Sequence, residues 1–347
     1  MAPCRILPDS RLMTYHRILP LVIAFLTLPM SVSAESVGLR QLSDSVPTVT
    51  RTVTTTVTRT VSNNTDGSIQ DTETVTTPTT ETFNDGSEPV IRPVFAAYTA
   101  EFGSGHLTDT YLSPIKYTGW HAALDYQRYQ AMRFAPDDWT MRLHFNLGVD
   151  KTDNPARNAT MWDIMLSADW GMMRRFRPFI PELTLAIGGS TGIDVGCLYN
   201  ARNSNNPASA KAAWTVNLTG FASWRTKLWS LPVTLTYQPT LPVAGVFFSP
   251  DYGELYYEIY LGDHKGLAHG AWWGNYFKLD NQLTADLHFG ATNLRLGYHG
   301  SIFSSKVNHV VTHIFSHAFS IGVSGEWLSV NPRKPVSPNA RMIHALY

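Results

Sequence analysis

The strongest constraint on this chain is a stretch in which apolar and polar residues alternate strictly for twelve positions. From Trp139 to Asp150, one parity holds Trp139, Met141, Leu143, Phe145, Leu147 and Val149, and the other holds Thr140, Arg142, His144, Asn146, Gly148 and Asp150. A period of two is the mark of an extended strand with two unlike faces. Strands of soluble proteins average about five or six residues, whereas a tilted strand of about 9–11 crosses the hydrocarbon of a bilayer. Alternation this long points to a strand that spans a membrane.

Two further segments repeat the pattern with a tryptophan at each end. One carries Trp162, Ile164, Leu166, Ala168 and Trp170 on a single face, and the other Trp214, Val216, Leu218, Gly220, Ala222 and Trp224. At about 3.3 Å per residue the paired rings stand roughly 27 Å and roughly 33 Å apart. With tilt, this suits an apolar band about 25 Å tall flanked by aromatic girdles, to which Trp139 also belongs. Eight more segments alternate: Val94–Ser104, Trp120–Ala131, Phe179–Gly192, Leu231–Leu241, Glu254–Gly262, Phe277–Phe289, Thr292–Phe303 and Phe315–Leu328. That makes eleven segments of 9 to 14 residues. A bacterial single-chain barrel has an even number of strands, so the expectation is a transmembrane antiparallel β-barrel of twelve strands, with ten as second choice. Short connections at Pro136-Asp137-Asp138, Arg174-Arg175 and Lys227 alternate with longer ones at 105–119, 151–159 and 193–212. The alternation fails between Gly262 and Tyr276, where the missing strand is expected. A soluble exported β-sandwich is the competing fold; strand length and the paired tryptophans weigh against it.

Composition agrees. Charged residues are 16% of the chain, against about 25% in a typical soluble domain. Aromatics reach 12%, with 10 Trp and 15 Tyr, and such rings favour membrane–water interfaces. Twenty-seven basic residues balance 27 acidic ones, which argues against a nucleic-acid partner. No run of 18 apolar residues occurs, so a closed barrel is the remaining way to satisfy the backbone in lipid.

Residues 1–34 read as a secretory signal: a basic region with Arg5, Arg11, His16 and Arg17, an apolar stretch Ile18–Leu28, and Val32-Ser33-Ala34, with cleavage expected after Ala34. No cysteine follows the apolar stretch, so no lipid anchor is expected. The mature chain then keeps Cys197 alone, which excludes an intrachain disulfide or a cysteine-based zinc site. Residues 35–93 form a threonine-rich neck. Val49, Val53, Val57 and Val61 recur every four residues, and the even positions from Thr48 to Thr60 are all threonine. A flexible periplasmic tether is the first reading. A β-hairpin turning at Asn64-Thr65-Asp66-Gly67 and docked on the barrel is the second, and a partner-binding strand within residues 48–82 the third. The barrel is expected over 94–330 and a separate tail over 331–347.

The stretch LDNQLTADLHFGATNLRLGYHGSIFSSKVNHVVTHIFSHAFSIGVSGEW, residues 279–327, resembles the closing hairpins of an uncharacterised outer-membrane barrel family of Bacteroidota, known only as a domain of unknown function. The similarity covers residues 95–330 and leaves out the neck and the tail. It implies a barrel and an address in the outer membrane of a Gram-negative bacterium. It implies no activity.

Candidate chemistry is sparse. His299 and Ser301 share a strand face, with Asn308 nearby, as in barrel lipid hydrolases that use a His and a Ser with a third group orienting the His. The pair shares its face with Asn293 and Arg295, read as the lumen, whereas those hydrolases act on the lipid-facing wall; a non-enzymatic barrel is expected and the hydrolase is the alternative. His309, His313 and His317 recur every four residues, which on a helix lines up zinc ligands. The neighbours Val307, Val310, Val311, Ile314 and Phe315 favour a strand, where the same spacing gives a His ladder titrating near about pH 6.5. No metal or cofactor is expected. The inward face carries Asp125, Arg142, His144, Asp163, Asp169, Glu258, Asp286, Arg295 and Glu326. Charges this mixed in a narrow barrel pair with one another and partly fill it. The expected role is a narrow or plugged channel or an envelope interaction protein, surrounded by outer-membrane lipid; an accessory barrel of an envelope transport machine, docking through residues 48–82, is a further alternative. Substrate and oligomeric state are not legible.

Overall fold

The computed structural model describes the backbone of residues 49–60 and 72–83, and residues 90–178, 180–204, 206–290, 292–328 and 340–346 with their side chains. The secretory signal and the turn at 64–67 lie outside the described residues. The chain divides into two units, Met1–Ser87 and Glu88–Tyr347.

In the first unit, β1 (Val49–Thr60) pairs antiparallel with β2 (Thr72–Phe83), in register from Val49↔Phe83 to Thr60↔Thr72. Within the neck, residues 49–60 and 72–83 thus form a two-stranded antiparallel ladder. Alternating threonine and valine favour extended backbone, and the register sets Arg51 opposite Glu81 and Arg59 opposite Glu73.

The second unit opens with β3 (Val90–Ile91) and then runs β4 (Val94–Asp109), β5 (Ser113–Ala131), β6 (Trp139–Asp153), β7 (Thr160–Phe176), β8 (Leu183–Asn200), β9 (Ala208–Leu228) and β10 (Leu231–Phe248). A connection over 249–275 carries the short helix α1 (Tyr256–Tyr260) and β11 (Ala268–Ala271). After it come β12 (Tyr276–His288), β13 (Thr292–Val307), β14 (Val310–Trp327) and β15 (Arg341–Met342). Each long strand pairs antiparallel with the next, and β14 returns to pair with β4 from Val94↔Trp327 to Asp109↔Thr312. The sheet closes into a barrel of ten strands among the described residues, β11 adding only a short flap on Gly245–Phe248 of β10.

Ten corrects the first expectation of twelve. Of the eleven alternating segments, ten are barrel strands, and the eleventh, Glu254–Gly262, holds α1. There the Glu258 carboxylate accepts the Leu255 N–H at 3.0 Å, capping the helix start, and Gly262, at φ +109°, ends it. Nine of the ten strands also run longer than their alternating segments, up to 21 residues in β9.

The apolar parity faces outward. Leu166 and Trp224 are each 49% exposed, so they do not meet in a dry core between stacked sheets. Trp139, Trp162, Trp170 and Trp214 lie on the same outer wall, and Trp120 meets Trp162 edge-on at 6.1 Å. The free Cys197 sits on this wall too, half-buried. At one end of the barrel, where β4 begins and β14 finishes, the connections are 132–138, 177–182, 229–230 and 289–291. At the other end are 110–112, 154–159, 201–207, 249–275 and 308–309. The two-residue turn Asn308-His309 has positive φ at both positions, the turn that matches the twist of paired strands.

Candidate functional site

The lumen is the candidate site, and it is filled in tiers. At the end where the barrel begins and finishes, Phe95, Tyr129, Met173, Ala186 and Phe221 point inward and bury Ala345 and Leu346 of the tail among them. The tail is held by polar contacts as well. β15 pairs in parallel with β3, and Ile343 N–H donates to the Ile91 carbonyl at 2.9 Å. Thr140 Oγ1 donates to the Ala345 carbonyl at 2.9 Å, and Arg175 donates to the carbonyls of His344, Pro136 and Asp137. Residues 340–346 of the tail therefore occupy the mouth of the barrel.

Above it lies a charged waist. Arg295 Nε and Nη2 each donate to Asp286 at 2.7 Å, and Ser324 Oγ adds a third bond at 2.6 Å. Arg295 also reaches Gln127 at 3.2 Å and lies 5.2 Å over the Phe95 ring. Arg142 donates to Asp169 at 3.0 Å, whose other oxygen accepts from Ser190 at 2.7 Å and Asn217 at 2.9 Å. Asp125 takes bonds from His144, Gln127 and Gln282. Buried charges are tolerated when paired and saturated in this way.

The next tier is a cavity of about 110 Å³, with a smaller space of about 40 Å³ beside the waist. Lys278 sits at their junction, 2.8 Å from Asp194 and 3.4 Å from Asp280. One cavity wall is polar, with His121 bonded to Asp150 at 3.0 Å, and Asp163 and Lys211 beside them. The facing wall is apolar: Phe247, Tyr276, Phe303 and Ile314. Beyond it, Leu107, Leu112, Tyr117, Met161 and Leu198 form a buried cluster, and the 249–275 connection crosses the mouth. Tyr111 Oη donates to the Glu254 carbonyl at 2.6 Å, the Ala210 N–H donates to Tyr256 Oη at 2.6 Å, and Tyr252 N–H donates to the Asn308 carbonyl at 3.1 Å. Burial pushes both the Tyr111 and Tyr256 hydroxyls above the ordinary phenol value, so they stay neutral hydrogen-bonding groups.

Of the residues expected in the lumen, Asp125, Arg142, His144, Asp163, Asp169, Asp286 and Arg295 face it. Glu326 lies at the tail, its carboxylate 2.7 Å from His344 Nδ1. Glu258 is a correction: it caps α1 in the crossing connection. His299 and Ser301 both face inward but are engaged by different acids, His299 Nδ1 by Glu101 at 2.9 Å and Ser301 Oγ by Asp280 at 2.5 Å. Asn308 stands in the end turn and donates to the Gly266 carbonyl at 2.9 Å. The three do not form a relay. The histidine series is divided as well. His309 is in the turn, its ring 89% exposed, while His313 and His317 of β14 face outward, His313 stacked on Phe315 and His317 within 2.8 Å of Ser104 Oγ. No group of three metal-ligating side chains forms among the described residues. Glu101, Asp150, Asp194, Lys211, Lys278 and Asp280 were not singled out from the sequence, although the parity of their own strands carries the signal.

A ten-stranded closed barrel with an apolar outer wall and a hydrogen-bonded interior is the class of the outer-membrane β-barrels. Residues 74–334 match the family described as "Protein of unknown function (DUF3316)", and the chain belongs to that family. Among curated proteins none matches it. Similar solved structures include the transport unit of the autotransporter AIDA-I from Escherichia coli, at 10% identity and a TM-score of 0.36, with 71% of this chain and 92% of that one covered. The translocator domain of the autotransporter NalP from Neisseria meningitidis matches at 10% identity and a TM-score of 0.29, over 70% and 90%. An outer-membrane channel from Pseudomonas putida F1 matches at 10% identity and a TM-score of 0.26, over 71% and 100%. Barrel closure here rests on the chain's own strand pairing, not on these likenesses.

Proposed function

We propose that the protein is exported to the outer membrane of a Gram-negative bacterium, in keeping with the Bacteroidota resemblance, and acts there as a stoppered barrel rather than an open pore. One observation carries this reading: inside an apolar outer wall, the tail residues 340–346 fill one mouth, the 249–275 connection crosses the other, and Arg295 to Gln127, Gln282 to Asp125 and Arg142 to Thr240 reach across the waist between them. The outward tryptophans then serve as the girdles, and the end bearing the tail faces the periplasm, since short turns and chain ends gather there in such barrels. The threonine-rich hairpin is suited to meeting an envelope partner through residues 48–82. Engagement of His299 by Glu101 and of Ser301 by Asp280 favours a non-enzymatic role over lipid hydrolysis.

The test is conductance of the purified full chain in planar bilayers, with heat-modifiable migration on a gel certifying the folded barrel. Folded protein that gives no steady current supports the reading. Steady nanosiemens steps overturn it.

A further inference from the structure

The cavity between the waist and the crossing connection has two unlike walls and one unmet electrostatic demand. Asp163 is 2% exposed, and its Oδ1 receives no hydrogen bond from any described residue. A buried carboxylate oxygen without a donor is costly, and the neighbouring groups do not supply one. Strand register sets Asp163 beside Asp150, whose Oδ1 is already bonded to His121 at 3.0 Å, and the Lys211 ammonium is drawn to Asp109 at 2.7 Å and to Thr312 at 3.0 Å. Around the cavity, Lys278 pairs with Asp194 and Asp280 and His121 with Asp150, which leaves Asp163 as the lining acid with no ion pair among the described residues. Across from this wall stand Phe247, Tyr276, Phe303 and Ile314, three aromatic rings and a branched apolar chain. Phe247 and Phe303 each pack on Tyr276, at 5.0 and 5.1 Å between ring centres, which fixes that wall in place.

We propose that this cavity is a binding site for a small organic amine, its ammonium donating to Asp163 Oδ1 and its apolar body lying against Tyr276 and Phe303. Size limits the ligand: a cavity of about 150 Å³ holds benzene, and this one measures about 110 Å³. A compact monoamine with one short alkyl chain fits, and a sugar or a peptide does not. A bare metal ion is excluded by the apolar wall and by the pairing of the other acids with His121 and Lys278. The site rests on the stoppered-barrel reading only for retention of the ligand, since the waist and the crossing connection separate it from both mouths; binding itself does not need the barrel to be non-conducting.

The experiment is isothermal titration of the full-length folded barrel in detergent with n-butylamine, and with n-butanol as the uncharged match. Saturable binding of the amine at least tenfold tighter than of the alcohol is expected. Asp163→Asn, which keeps the shape and removes the charge, is expected to reduce amine affinity at least tenfold and leave the alcohol unchanged. Met165→Trp, which fills the space from a side chain with no charge role, is expected to abolish binding of both; heat-modifiable migration certifies that each variant is folded. Equal binding of amine and alcohol, unchanged affinity in Asp163→Asn, or no saturation by the amine in the millimolar range each overturns the proposal. A conducting barrel that still binds n-butylamine in this pattern sinks the stoppered reading and leaves the site standing.

Discussion

Asp286 illustrates how a single residue can hold charge in a narrow interior. It takes two bonds from Arg295 and one from Ser324, and is 1% exposed. Deleting one partner of such a pair leaves a buried charge unmatched and costs about 3–5 kcal/mol. Asp286→Ala should lower the urea midpoint of the folded barrel by that order, and the double change Asp286→Leu, Arg295→Met should recover most of it; tryptophan fluorescence against denaturant measures both. On the outer wall the rule is reversed. Leu166 lies midway between Trp162 and Trp170, and Leu166→Arg should cost about 2–4 kcal/mol in lipid, while Leu166→Ile stays near neutral. Folding yield into vesicles separates these outcomes, and equal yields would contradict the membrane-facing assignment. Residues of this kind were legible in the sequence, because parity alone sends Arg142 and Asp169 inward and Leu166 outward. Glu258 was not: its segment alternates, but its carboxylate reaches back along its own chain to cap a helix turn, which parity does not register.

At the scale of elements, long alternation identified the ten barrel strands and overcounted by one. The even-number rule was sound; the surplus segment had to be removed rather than a partner found for it. Strand ends were underestimated because the pairing continues past the apolar band, as in β4, which runs to Asp109 rather than Ser104. The two stoppers were illegible for a different reason. Among the described residues the tail buries only Ile343, Ala345 and Leu346 as apolar anchors, too few to announce a docking segment, and the site of Ala345 and Leu346 on Phe95, Tyr129 and Phe221 is assembled from strands far from the tail in sequence. Removing residues 340–347 should leave a folded, less stable barrel that still passes no steady current, because the 249–275 connection remains. Replacing residues 251–265 by a short glycine–serine link in the same truncated chain should then open the conduit. Current through the first variant alone would show that the crossing connection is not a seal; bilayer recording distinguishes the two.

At the scale of the molecule, the barrel depends on a seam. β4 and β14 meet edge to edge although residues such as Asp109 and Thr312, bonded across it, lie 203 positions apart in sequence. Contacts this distant form late, since the loop must close before any pairing compensates for its entropy. Until β14 arrives, the growing sheet carries two raw margins of unsatisfied amide and carbonyl groups, which lipid cannot solvate and which invite pairing with other chains. Assembly is consequently all or nothing. A chain stopped before Val310 has no smaller cylinder to fall back on, only an unclosed ribbon that must be chaperoned, degraded or lost to aggregation.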